Sequence, residues 1–389
     1  MHHPKKWMTL SGLVVVVAFY SFLSCRKSGS DGSSNTTDPL AALNLPATAF
    51  NYANQPLPVY LRTPLITGQD NANTGATMTD WGATLGRVLF YDRTLSINKT
   101  ISCASCHKQS ISFADSTALS LGFSGGKTGR NSMSLVNARF YPNGRFFWDE
   151  RAPTLEVQTL IPVQDHVEMG MTLDTLINRL NATPHYPVLF EKAFGSSAIT
   201  RDRIAGALAQ FVRSIISYQS KFDVGRSQVP AGQDPIQTPY ANFSALENQG
   251  KQLFFGPQTN CGACHGTETF TAPGARNNGL ENPSVDKGVG GVNGVAAREG
   301  DFKVTSLRGV ELTAPYMHDG RFKTLEEVVE HYNSGVQPNP NLAPQLRNPD
   351  GTPRRLNLTG IQKAALVAFM KTLTDRVILT EEKFSNPFR

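Results

Sequence analysis

The sequence predicts a mainly α-helical chain built as two similar units in tandem, and three observations carry that prediction. Apolar residues recur at helical spacing, with Ile204, Leu208, Phe211, Val212, Ile215 and Ile216 striping the stretch 201–222. Period-two alternation is scarce, so strands are not expected. One short motif occurs twice, as Cys103-Ala104-Ser105-Cys106-His107 and as Cys261-Gly262-Ala263-Cys264-His265. Each is C-x-x-C-H, the attachment signature of c-type haem. Two thiols three positions apart reach the two vinyl groups of one porphyrin, and the adjacent histidine falls under the iron as proximal ligand. A thioredoxin-like redox pair or half of a zinc site would account for the cysteines but not for a histidine after both pairs. The fold class is therefore mainly α: two cytochrome c-like haem domains in tandem, carrying two covalently bound c-type haems.

Taken in order, the chain opens on a leader. Lys5 and Lys6 are followed by an apolar run from Leu10 to Leu23, too short to cross a bilayer as a helix. Phe22-Leu23-Ser24-Cys25 resembles a bacterial lipoprotein cleavage box, with Phe22 where leucine is usual. Residues 1–25 are expected to be a lipoprotein-type signal peptide, with lipid on Cys25 as the only membrane attachment. An ordinary secretory signal is the alternative. Either places the mature protein outside the cytoplasm, in the periplasm. A flexible tether is expected over 26–45, from a Ser/Gly/Asn/Thr-rich composition. The N-terminal haem domain is assigned to 46–235 and the C-terminal one to 236–389, divided in the Pro/Gln/Gly-rich stretch Val229 to Pro239.

A repeat precedes each motif. Leu85-Gly86-Arg87-Val88-Leu89-Phe90-Tyr91 and Gln249-Gly250-Lys251-Gln252-Leu253-Phe254-Phe255 both read as helices whose apolar end packs against the haem they introduce. Thr324 to Glu327 and Thr359 to Gln362 fit capping boxes. The second opens a helix with Ile361, Ala365, Phe369 and Leu373 on related faces. The glycine-rich stretch Asp286 to Gly300 reads as a loop.

Composition narrows the function. Four of the 5 cysteines lie in the motifs, and the fifth is Cys25, so no thiols remain for disulfides. The formal charge of +6 overstates basicity, because each haem brings two propionates. No Lys/Arg cluster with interleaved aromatics occurs, so nucleic-acid binding is excluded.

Beyond the haem motifs, three segments stand out. They are Arg130-Asn131-Ser132 with Phe147-Trp148-Asp149; Gln158 through Pro162-Val163-Gln164 to Val167-Glu168-Met169; and Leu307-Arg308-Gly309 to Ala314-Pro315-Tyr316-Met317-His318-Asp319-Gly320. With these the chain resembles the bacterial di-haem cytochrome c peroxidase family, which includes the MauG-type enzymes, from about Gly82 to Thr374. The resemblance implies that the haem on His107 is peroxidatic and that its open face holds Gln158 and Glu168. Cleaving peroxide requires moving a proton from the inner to the leaving oxygen, and one carboxylate can make both transfers. It also implies that Trp148 lies between the haems and relays electrons. Asn131, Thr313 and Pro315 match positions that bind an inter-haem calcium ion, with amide and carbonyl oxygens as hard donors.

Two departures refine the expectation. Reductively activated members carry a distal histidine sixteen positions after the first haem histidine; here that residue is Phe123. The first iron is therefore expected to be open. The cytochrome-oxidising members place a methionine fourteen positions after the residue matching His318; here it is Tyr332, the MauG-type pattern. Phenolate favours ferric and higher states, where thioether favours ferrous iron. Met317, His318 and His331 are rivals to Tyr332 as sixth ligand of the second haem. The function expected is a peroxidase that reduces hydrogen peroxide with electrons from an external donor, either a small cytochrome c or a residue on a protein substrate. A non-enzymatic di-haem electron carrier is the alternative from another class, and a haem-based sensor a further one.

Overall fold

A computed structural model describes residues 38–74 and 77–389. The expected signal peptide, Cys25 and residues 26–37 of the expected tether lie outside the described residues. Among the described residues the fold is helical, pairing of extended segments is limited to isolated bridges, and no helix is long and apolar enough to cross a membrane.

Two crossed helix pairs organise the molecule. Helix Asp80–Tyr91 packs on Arg201–Ser214, and helix Ala245–Phe255 packs on Gly360–Lys371. The repeated glycine makes each crossing possible. A Cβ at Gly86 would lie 1.9 Å from the Ala207 carbonyl oxygen and 2.8 Å from the Phe211 Cβ. A Cβ at Gly250 would lie 1.9 Å from the Ala365 carbonyl oxygen and 2.8 Å from the Phe369 Cβ. The helix after each glycine then sends Phe90 or Phe254 into its own core. Phe90 packs edge-on or tilted against Phe113 and Phe211 in the first; Phe254 does the same against Phe270 and Phe369 in the second.

The two cores exchange segments across the 235/236 division. Helix Lys221–Ser227 contributes Phe222 to the second core, and the C-terminal tail returns Ile378 and Phe384 to the first. Residues 38–45 depart from the expected tether. Leu43 is buried in the first core and bridges Phe388, because the tail offers it an apolar, hydrogen-bonding partner.

The helical stripe over 201–222 breaks at Ser214. Asn137 captures the backbone there: its N–H donates to the Ile215 carbonyl at 2.9 Å, and its Oδ1 accepts from the Ser217 N–H at 2.8 Å. Those groups are lost to the helix, and Ile216 turns into a separate cluster with Tyr60, Ile66 and Phe140. Both capping boxes form at Thr324 and Thr359. Ala365, Phe369 and Leu373 are buried as their spacing predicts, but Ile361 is 67% exposed, since it sits in the first turn beyond the edge of the partner helix. The stretch 286–300 contains a short helix, Gly288–Asn293, ended by Gly294 at φ 72.

The repeat extends well past the helices. Phe146 bridges Ala152 and Tyr316 bridges Phe322, closing two hairpins of identical span. Phe147 and Met317 both take positive φ (67 and 75), as do Glu150 and Gly320 (56 and 68). Thr154 and Thr324 then cap the following helices. Trp148 and His318 thereby occupy matched positions, as do Asp149 and Asp319, Arg151 and Arg321.

Gly86→Ala and Gly250→Ala should each force a helix pair apart and cost about 1–3 kcal/mol. Thermal unfolding of the two variants should show losses of similar size; an unchanged melting temperature in either would mean that the crossing relaxes without cost.

Candidate functional site

Each haem motif is held by the same device. The His107 Nδ1 lies 3.1 Å from the Phe113 carbonyl, and the His265 Nδ1 lies 2.9 Å from the Phe270 carbonyl. Phe113 and Phe270 both take positive φ, 55 and 53, which turns each carbonyl back onto the ring. A proton fixed on Nδ1 leaves the Nε2 lone pair for iron. Burial lowers the pKa of both imidazoles, so both are neutral as a metal ligand must be. Burial pushes the Cys103 and Cys261 thiols up to about 12 and about 11, the opposite of the depressed thiols of a redox pair.

A cavity opens beside each histidine. The first, about 500 Å³, is lined by His107; the second, about 260 Å³, by Cys261, Cys264 and His265. Both are predominantly apolar, and this donor set beside them fits two c-type haems. The cavities share one wall, made by residues 131–134, Trp148, Lys303, Thr305 and Ser306.

That wall is built on a two-fold pattern. The Asn131 N–H donates to the His318 carbonyl at 2.7 Å, and the matched Lys303 N–H donates to the Trp148 carbonyl at 2.8 Å. The Trp148 indole N–H donates to the Asn131 carbonyl at 2.8 Å. His318 stacks flat on Phe302, centroids 3.7 Å apart, and meets the Trp148 ring edge-on at 6.5 Å. Arg130 ties the halves together, binding Asp149 of the first hairpin and Asp286 of the second half. Asp286 in turn lies 3.9 Å from the His318 Nε2.

Gln158 and Glu168 both line the first cavity with His107. Helix Leu155–Gln164 carries Gln158, and the turn after it carries Glu168. Asp165 forms that turn, its Oδ1 accepting from the Val167 and Glu168 N–H groups at 2.7 and 3.1 Å. Burial, reinforced by the Asp165 charge and opposed by Arg151, pushes the Glu168 carboxyl up to about 7. Phe123 is not among the residues lining the cavity; its ring packs on Gly170, and its N–H donates to the Glu168 carbonyl at 3.0 Å. Phe123 thus supports the Glu168 backbone from behind.

In the second cavity Tyr332 lies on a π-helical turn, His331–Gly335, that prolongs helix Leu325–Glu330. Burial raises its phenol to about 12, against a hydrogen bond from the Asn278 amide at 3.4 Å. The same amide lies 3.4 Å from the Met317 sulfur, so both side chains face one donor. His331 is tied through Nε2 to the Asn278 carbonyl at 3.0 Å. Asn131, Thr313 and Pro315 are also brought together on the wall of this cavity.

Two features escaped the sequence reading. The hairpin register aligns Pro162 with Tyr332, so where the helix of the second half offers a phenol to its cavity, the matched helix of the first half offers a ring without donor or acceptor. The constant offset of 170 residues between the hairpins, 146 to 316, was the available signal. Asn278 had no signal, because it reaches Tyr332 only through the fold.

A family model described as "Di-haem cytochrome c peroxidase" matches residues 81–228. The chain is 33% identical over 291 residues to the methylamine utilization protein MauG of Methylorubrum extorquens, covering 74% of this chain and 77% of that protein. It is 32% identical over 296 residues to the cytochrome c551 peroxidase of Nitrosomonas europaea, covering 75% and 79%. Among solved structures, a MauG-like protein associated with microbial copper homeostasis superposes with a TM-score of 0.75 at 30% identity, over 86% of this chain and 99% of that one.

The turn bearing Glu168 offers a direct test of the site's geometry. A Cβ at Gly122 would lie 1.6 Å from the Val167 carbonyl oxygen. Gly122→Ala should displace Glu168 and slow peroxide consumption roughly 10- to 100-fold. Haem content, read from the visible spectrum, should not change; loss of haem would mean that Gly122 serves assembly instead.

Proposed function

The chain belongs to the di-haem cytochrome c peroxidase family, and from that premise we propose how its residues divide the work. It is a di-haem c-type peroxidase, an oxidoreductase that takes hydrogen peroxide and two electrons to water. His107 and His265 would hold the two haems, which would supply the iron at which peroxide reacts and a store for its oxidising equivalents. The observation that carries the assignment of roles is Glu168: a carboxyl held near neutrality, in the cavity of the first histidine, with Gln158 beside it.

Glu168 acts as proton carrier. Its carboxylate takes the proton from one peroxide oxygen and returns it to the other, which leaves as water. Gln158 orients the peroxide. Pro162 and Phe123 bring no nitrogen or phenol to this face, which supports an open first site. Trp148, shared by both cavities and fixed through its indole N–H, relays electrons between them. Tyr332, which accepts a hydrogen bond from Asn278, would hold the iron of the second haem together with His265, with Met317 the nearest rival. Asn131, Thr313 and Pro315 would hold a calcium ion, their amide and carbonyl oxygens supplying hard donors.

The electrons come from an external donor, a small cytochrome c or a residue on a protein substrate. The phenol at Tyr332 favours the second, MauG-like use. The protein works in the periplasm, held to a membrane through lipid on Cys25.

Two outcomes test the proton carrier. Glu168→Gln should lower the rate of the peroxide reaction by about 10²–10⁴ with both haems retained; turnover at the parent rate would remove Glu168 from the mechanism. The deprotonated acid is the form that accepts the first proton. The rate should therefore rise as pH climbs through about 7 and level off above it. Stopped-flow profiles of the parent should show that limb, and those of Glu168→Gln should lack it.

A further inference from the structure

Tyr141 is the one tyrosine that lines the first cavity among the described residues. It is 2% exposed, and its hydroxyl donates to Oε1 of Glu150, which is 5% exposed. The Lys303 ammonium lies 3.6 Å from the Tyr141 ring centre and donates to the Arg145 carbonyl at 3.1 Å. Arg145 returns a bond from Nε to the Glu150 carbonyl at 2.9 Å.

Glu150 is an unexpected residue here on two counts. Its φ of 56 is the left-handed conformation that favours glycine, and the matched hairpin does place glycine there, Gly320 at φ 68. A buried carboxylate is also costly unless its partners repay it. The first hairpin thus keeps a strained, buried acid where its twin keeps none, and aims it at a phenol on the cavity wall. Burial and the Glu150 charge hold the phenol well above its ordinary pKa, so Tyr141 keeps its proton at rest. A phenol in that state is readily oxidised only if a base takes the proton as the electron leaves.

We propose that Tyr141 and Glu150 form a redox relay of the first haem site, opening towards the surface turn 142–145. The relay rests on the peroxidase reading above, since the oxidant is the haem pair after reaction with peroxide. The Tyr141 O–H bond breaks and an O–H bond forms on Glu150. Tyr141 is oxidised by one electron to a neutral phenoxyl radical, and the oxidised haem pair is reduced by one electron. Asn143 and Arg145 are exposed directly above, so an external donor that refills Tyr141 approaches at that turn.

The test is freeze-quench electron paramagnetic resonance on the holoprotein after one equivalent of hydrogen peroxide, with no donor, using ring-deuterated tyrosine. A radical whose hyperfine splitting collapses on deuteration is expected. It should vanish in Tyr141→Phe and fall about 10-fold or more in Glu150→Gln, which keeps volume and an acceptor oxygen but not the base. The optical response of the haems to peroxide should survive in both variants. No tyrosyl signal, or the same signal in Tyr141→Phe, overturns the relay while leaving the peroxidase reading intact. An undiminished signal in Glu150→Gln overturns Glu150 as the proton acceptor. Haem spectra that do not respond to peroxide in the parent overturn both the relay and the peroxidase reading beneath it.

Discussion

Two reciprocal backbone hydrogen bonds, Asn131 to His318 and Lys303 to Trp148, set the geometry on which the site depends. Each contributes only about 1 kcal/mol net, so their importance is positional. They place the two hairpins back to back, which makes one layer of side chains serve as wall to both cavities. Trp148 faces both because its carbonyl, and the carbonyl that accepts its indole N–H, belong to that paired arrangement. Arg130 adds a clamp across the halves through Asp149 and Asp286, and burial around its carboxylate partners makes the clamp more than a surface ion pair.

On this two-fold frame, function comes from where the halves differ. Matched positions carry Pro162 and Tyr332, Trp148 and His318, Glu150 and Gly320. At Glu150 and Gly320 the positive φ is kept while the chemistry changes, whereas Pro162 lies in an α-helix and Tyr332 in a π-helical turn. Proline on the first helix brings no donor or acceptor atom to its cavity, and tyrosine at the matched position brings a phenol to the other. The π-helical turn at His331–Gly335 marks the same asymmetry, since an inserted residue there re-aims the side chains that follow. A duplicated scaffold can therefore present two cavities of different chemistry without two separate designs.

Stability without disulfides rests on close helix crossings and on buried ion pairs that are fully bonded. Arg308 is buried against Asp223 at 2.6 Å, and Tyr60 donates to the same carboxylate at 2.8 Å. Removing one partner from such a pair costs about 3–5 kcal/mol, because the other charge is left buried. Asp223 joins a segment near residue 60 to the second core, and the C-terminal tail joins that half back to the first. The exchanged segments tie the two halves into one compact unit, Asp38–Arg389.

What the sequence determined by itself is what local spacing encodes. The C-x-x-C-H pairs declare their chemistry within five residues. The capping boxes at Thr324 and Thr359 declare helix starts, and the repeat around Gly86 and Gly250 declares a matched pair of helices; that these glycines let the helices cross closely was decided by the fold. Trp148, Gln158 and Glu168 were readable only by resemblance, since a lone tryptophan, glutamine or glutamate carries no signal of its own. Tertiary structure decided the rest. It ended the 201–222 stripe at Ser214, because a distant Asn137 competes for the backbone. It set the Glu168 carboxyl near neutrality, because desolvation depends on what closes over a group and not on its neighbours in the chain. It brought Asn278 to Tyr332 and Glu150 under Tyr141. Spacing along the chain fixes which atoms can share a haem; burial and the meeting of distant segments fix what those atoms can do there.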